Sequence, residues 1–320
     1  MVSRYVTSGF ARWGKFGLLL GSLLLVAAAP VERRVPPPTW DEVPPGIFFT
    51  DAFEQGLVGT PNVQRSPAVS SSTGEDVPAS ESDSPKTDSS NWREVISAET
   101  IEDEIKLILA RTAGFVQNAS DFKARGYRQA RREFSIAAML FAIVHEYPDA
   151  IRWQQDALSA RDAFAQGALR AQVGSDSVLQ LAEQLRIALE DLVRGGSFSH
   201  QAAVSPAGWP EICARSPLMQ RLEMADSEQL ASPLASSNSF QQERTRAVHE
   251  AELVAAIAAV LRQPGMDDAA DQAYCDHCEA MQQAARAIVQ AVENDDYEAA
   301  RQAQGKLKKS CTDCHADYRG

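Results

Sequence analysis

The chain has 320 residues, with 31 Lys and Arg against 43 Asp and Glu and a formal net charge of −12. A nucleic-acid binder needs a basic face, which this balance argues against; a soluble surface or a basic partner fits it better. An apolar share of 44% suits a globular chain with room for about two domains, and frequent Ala with only 7% aromatic residues favours helices over strands.

Residues 1–29 read as an export signal. Arg4, Arg12 and Lys15 flank the apolar run from Phe16 to Ala29, which is short for a membrane span and right for a signal core. Pro30 directly after three alanines obscures a cleavage site, so an uncleaved membrane tether is the alternative. Either reading places the folded part outside the cytoplasm, in a periplasm or otherwise exported. Residues 30–91 carry Pro36-Pro37-Pro38, Pro44-Pro45 and a polar run from Ser66 to Ser90. Such a composition buries too little apolar area to offset ordering entropy and reads as a disordered linker.

From Asn91 the apolar period becomes helical. Ile101, Ile105, Ile108, Thr112 and Phe115 follow the three-four spacing of a buried seam. A second helix is expected over Tyr127–Glu146, with Ile136, Met139, Leu140 and Ile143 inward. A third follows Pro148 and includes Trp153, Leu158 and Phe164. A fourth carries Val178, Leu181, Leu185, Ala188 and Leu192 and stops at Gly195-Gly196. These helices, over residues 92–197, make up a first four-helix bundle. A second set, over residues 215–320, starts near Pro217 and continues with helices over about 241–261, 268–293 and 296 onward. The fold class is therefore all-α, two four-helix bundles in tandem after a linker. The halves match weakly at an offset of about 118, pairing Phe122 with Phe240 and Ile136-Ala137-Ala138-Met139 with Val254-Ala255-Ala256-Ile257.

Five cysteines are present, four of them in two C-x-x-C pairs. Cys311-Thr312-Asp313-Cys314-His315 is C-x-x-C-H, the c-type haem attachment pattern. Two thiols add to the two vinyl groups of one haem, and the histidine after the second reaches the iron as axial ligand. On a helix, Cys311, Cys314 and His315 stand at i, i+3 and i+4 and share a face. A zinc site fits less well, because zinc ligand pairs usually have a spacer. In Cys275-Asp276-His277-Cys278 a glutamate, Glu279, stands where a haem motif needs histidine. The expectation is thus one covalent haem c. Cys213, Cys275 and Cys278 are left as free thiols, a disulfide or a small buried filler beside the porphyrin.

The motif closes the chain, with Tyr318 and Arg319 after it. In this the last hundred or so residues resemble the class II cytochromes, the cytochrome c′ family, whose haem motif lies in the last helix of a four-helix bundle. The resemblance implies a distal residue near the start of the first helix of that bundle, here Leu218 or Met219. An inward Met219 would be an iron ligand suited to electron transfer; an apolar cover would leave iron open to small gases such as NO or CO. It also implies that such chains often form homodimers. The first bundle and the linker depart from the simple family pattern.

Two helix seams agree with a site at this end: Tyr297, Ala300, Gln304, Leu307, Cys311, Cys314 and Tyr318 on the last helix, and Tyr274, Cys278, Met281, Ala285, Ile288 and Val292 on the one before. A tight turn at Asn294-Asp295 makes them antiparallel and brings Cys278 level with Cys311. His249 lies about 18 Å from that level at 1.5 Å per residue and is set aside as a ligand, and His277 reads as a rim residue. No nucleophile-base set, phosphate loop or catalytic carboxylate pair stands out, so the chain reads as a redox or gas-binding protein with an unknown redox partner and not as an enzyme. The competing readings are a thiol-disulfide protein using both C-x-x-C pairs, and a docking or structural helical protein.

Overall fold

The computed structural model describes residues 91–200, 205–206 and 208–318, all within one compact unit that spans residues 81–320. The export segment, the linker as far as Ser90, and Arg319 lie outside the described residues. No described helix is long and apolar enough to cross a membrane.

The chain is all-helical, with no strand among the described residues. A short α1 (Trp92–Val95) precedes α2 (Ala98–Phe115). A single-turn α3 (Ala119–Asp121) runs through a π-helical turn, Phe122–Gly126, into α4 (Tyr127–Glu146). Helices α5 (Ala157–Arg170) and α6 (Asp176–Val193) complete the first set. The second set has the same elements with the π-helical turn ahead of its short helix: α7 (Trp209–Ile212), α8 (Arg215–Met224), a π-helical turn at Ala225–Gln229, α9 (Ser237–Gln242), α10 (Arg244–Leu261), α11 (Gln272–Glu293) and α12 (Tyr297–Tyr318).

Local chemistry sets the helix starts. Ser97, Ser175, Ser236 and Asp271 each accept a hydrogen bond from a backbone N–H of the first turn that follows, which satisfies donors that a helix cannot pair internally. Helix α6 ends two residues before Gly195, whose φ of +97° is open to glycine at little cost. Helix α4 has the expected bounds. The third helix does not: it begins at Ala157, because Trp153 adopts φ +67° and donates its indole N–H to the Leu192 carbonyl at 3.1 Å. A bulky residue in that conformation cannot continue a right-handed helix. Leu158 is exposed. Helix α11 likewise starts at Gln272, since Asp268 takes φ +62°.

The core centres on α4 and α10. Every residue from Phe134 to Val144 and from Leu253 to Leu261 is buried, the mark of helices enclosed on all sides. The first set fills its interior with rings, Phe134 and Phe141 each within 6 Å of Phe164.

The sets recur at an offset of 117, with Trp92 matching Trp209, Ala98 matching Arg215 and Tyr127 matching Arg244 as helix starts. The offset of 118 holds between the two π turns, where Phe122 and Phe240 are both fully buried, and again on the last helices, where Leu189 and Leu307 are both buried. A π turn absorbs one extra residue in a helix. The second set takes its extra residue at 225–229 and the first takes its own at 122–126, so the register slips by one and returns. This corrects the pairing of α4 with α10: buried Glu133 corresponds to buried Glu250, and Phe134 and Phe141 correspond to Ala251 and Ala258. It also pairs Ile101 with Leu218, both fully buried, in place of Met219.

Equivalent residues meet where the sets touch. The rings of Trp92 and Trp209 are 5.9 Å apart. Glu104 and Arg221, also equivalent by register, form an ion pair at 3.5 Å. At a self-facing position two copies of one charge would repel; opposite charges there convert the repulsion into a link. Ser97 adds a second tie, its N–H and hydroxyl both donating to Glu252.

Candidate functional site

Cys311, Cys314 and His315 lie in the last turns of α12, close to Cys275 and Cys278 in the first turns of α11. The Asn294-Asp295 turn, where Asp295 has φ +59°, makes the helices antiparallel as expected. All six α11 seam residues, from Tyr274 to Val292, are buried. On α12 the most buried stripe is Ala300, Ala303, Leu307, Ser310 and Cys314. Cys311 is therefore at the edge of the buried face and Cys314 within it, while His315 is exposed.

Cys278 lies beside Cys314 and Cys275; burial, then these neighbouring thiols, push its own thiol up to about 12. Burial also raises the thiols of Cys311 and Cys314. The nearby charges differ along the motif: Asp226 acts on Cys311, whereas Arg215 acts on Cys314. Lys308 of α12 meets Asp226 at 3.9 Å. Helix α8 thus runs alongside the motif, Arg215 at the Cys314 level and Asp226 at the Cys311 level. Between them Met219 and Leu222 continue the same three-four stripe. Leu218, one position away, is fully buried, and Met219 is half-buried against the core.

Among the described helices, α12 packs closely against α11 alone. Its approach to α8 is through side chains, and this loosely closed side carries Cys311, Cys314, Met219 and Leu222. The Cys314 end of this contact is polar. Arg215 pairs with Asp267 and Asp268 and lies 5.9 Å from the Tyr274 ring centre. The Tyr274 hydroxyl is buried without a hydrogen-bond partner. Tyr318 packs edge-on to Tyr274, its hydroxyl donating to Asp271 at 2.8 Å.

A haem fits these donors in three respects. Two thiols stand on one helix face, one of them buried; an imidazole without a side-chain partner follows them; and a buried hydroxyl beside a guanidinium offers polar contacts. The other cysteine of the chain, Cys213, is wholly buried at the end of α7, and burial raises its thiol. All five cysteines are free.

The remaining histidines separate from this site. His277 is at the rim, 3.2 Å from Asp317 and packed edge-on to Tyr318. His145 is exposed and His200 is half-buried. His249 instead belongs to a cluster at the contact between the sets, where it meets Glu104 at 2.9 Å. There Arg111 bridges Glu104 and Glu133, each at 2.8 Å, and Arg221 bonds Glu250 at 2.7 Å. Sequence reading passed over this cluster. Its only trace was a charged residue at intervals on otherwise apolar helix faces, and such residues usually face solvent.

No protein-family model, curated protein or solved structure matches this chain. The resemblance to class II cytochromes rests on the motif, its place in the last helix and the helical setting.

Proposed function

We propose that this chain is an exported c-type cytochrome with one haem bonded to Cys311 and Cys314, acting in electron transfer or small-gas binding. In this reading residues 215–320 are a cytochrome c′-like bundle and residues 92–197 a haem-free companion bundle. The observation that carries it is the C-x-x-C-H motif on the α12 face that confronts α8 across a loosely packed side. Ring-filled Phe134 and Phe141 in the first set, against Ala251 and Ala258 in the second, support assigning the cofactor to the second set alone.

A bound haem would supply one-electron redox chemistry and a metal centre for diatomic ligands. The protein's part is to hold and shield it. Cys311 and Cys314 anchor, and His315 presents its imidazole on the same helix. Leu218, Leu222 and Cys278 exclude water. Arg215 and Tyr274 would offer polar contacts to acidic groups at the Cys314 end. On α8, Met219 is the residue that would be available as a second metal ligand.

The test is an absorption spectrum of protein exported together with haem-maturation machinery, taken before and after acid-acetone extraction. Sharp reduced bands that stay with the polypeptide are expected, and Cys311→Ala with Cys314→Ala should abolish the retained colour. Met219→Leu should retain the covalent colour; a change in its reduced bands would assign Met219 as ligand. A colourless protein would favour the second reading, a thiol-disulfide protein. The proximity of Cys278 to Cys275 and Cys314 supports that reading.

A further inference from the structure

At the contact between the helix sets, away from the cysteines, lies a cavity of about 680 Å³, within the usual size range of small-molecule sites. Four cations line it, Lys106, Arg111, Arg221 and Arg246, against two carboxylates, Asp103 and Glu250. Leu107, one of the few large apolar side chains left exposed among the described residues, forms part of the wall with Met224. Arg221 is 98% buried, since its relative exposure is 2%. Its Nε faces Glu104 and its Nη2 donates to Glu250, but Nη1 has no hydrogen-bond partner. A buried guanidinium N–H left unpaired is costly, and a planar carboxylate is its natural acceptor.

We propose that this cavity binds a small organic carboxylate, its head on Arg221 and its apolar body against Leu107 and Met224. The same cluster brings ligand atoms of Glu104, His249 and Glu250 within 4.8 Å of one another, which invites comparison with a metal site. The comparison fails on charge. Both carboxylates already hold guanidinium groups, Arg111 and Arg221 on Glu104 and Arg221 on Glu250, so an entering cation would meet them directly. A phosphate dianion fits less well than a carboxylate, because one free N–H would have to offset two charges beside Glu104 and Glu250. The inference does not depend on the haem, since the cavity is lined by neither α11 nor α12.

The experiment is calorimetric titration of the full chain with hexanoate and with benzoate, alongside inorganic phosphate and Zn²⁺. Saturable binding of at least one of the two carboxylates is expected, with a matching rise in melting temperature. Arg221→Met should abolish it, but that variant also strips partners from two buried carboxylates and endangers the fold. Leu107→Trp is the second variant. It fills the cavity from an exposed position, leaves every ion pair in place, and should weaken binding by about tenfold or more, roughly 1.4 kcal/mol. Failure of both carboxylates to bind, binding by phosphate alone, equal binding to Leu107→Trp, or Zn²⁺ stabilisation that a chelator reverses would each overturn the proposal.

Discussion

At Glu104, burial alone would raise the carboxyl, yet the hydrogen bond from His249 and the charges of Arg221 and Arg111 outweigh it and hold the group at about 2, below its ordinary 4.5. A folded-state value below the unfolded one means that the stabilisation is complete above about pH 5 and drains as pH falls toward 2. The difference amounts to about 3 kcal/mol. Urea unfolding at pH 7, 4 and 3 should show a steep acid loss in the wild type. Glu104→Gln should be less stable at pH 7 and flatter with pH. Equal acid slopes in the two proteins would show that Glu104 is not held low. Arg221 is the complementary residue. Removing it strands Glu104 and Glu250, and Arg221→Met should cost about 3–5 kcal/mol by the same unfolding measurement. A smaller loss would mean that the cluster relaxes or admits water.

At the scale of the elements, the helices are placed by apolar period and capping, and their junctions by close approach. Gly174, in the connection from α5 to α6, is the tightest case: a Cβ there would lie 2.2 Å from the carbonyl oxygen of Lys123 in the first π turn. Backbone cannot yield as a flexible side-chain tip can. Gly174→Ala should therefore destabilise by about 1–3 kcal/mol, read as a lowered melting temperature with the helical circular dichroism at 20 °C retained. Gly114, with nothing within 4 Å of its added Cβ, is the internal comparison. Gly114→Ala in the last turn of α2 should be neutral or slightly stabilising. The π turns belong to this scale too, each carrying the one residue by which the two sets fall out of register and then back.

For the whole molecule, the contact between the sets is part of the core. Trp92 and Trp209, Glu104 and Arg221, and Ser97 and Glu252 join them. Residues 205–320 produced alone should expose apolar surface on α8 and α10, melt well below the full chain and bind a hydrophobic dye. Adding residues 91–200 in trans should reverse both effects. An isolated second set as stable as the intact protein would show that the contact contributes little. A haem-retaining but partner-deficient fragment would, in turn, give the first set a docking role.

The sequence by itself determined the all-helical class, the bounds of α4, the turn that makes α11 and α12 antiparallel, and the buried α11 seam. These follow from period and chain connectivity, which are local. The C-x-x-C-H spacing was equally legible, because it is a run of five consecutive residues. Only the tertiary structure decided which face of α8 confronts the motif, and hence that Leu218 is core while Met219 and Leu222 lie on the side toward α12. It also decided the start of α5, since the conformation of Trp153 answers to the Leu192 carbonyl 39 residues away. The buried cluster of Glu104, Arg111, Glu133, Arg221 and Glu250 was invisible in the chain for the same reason. A charged residue is tolerable in a core only when its partner arrives from a distant segment, and nothing local announces that partner.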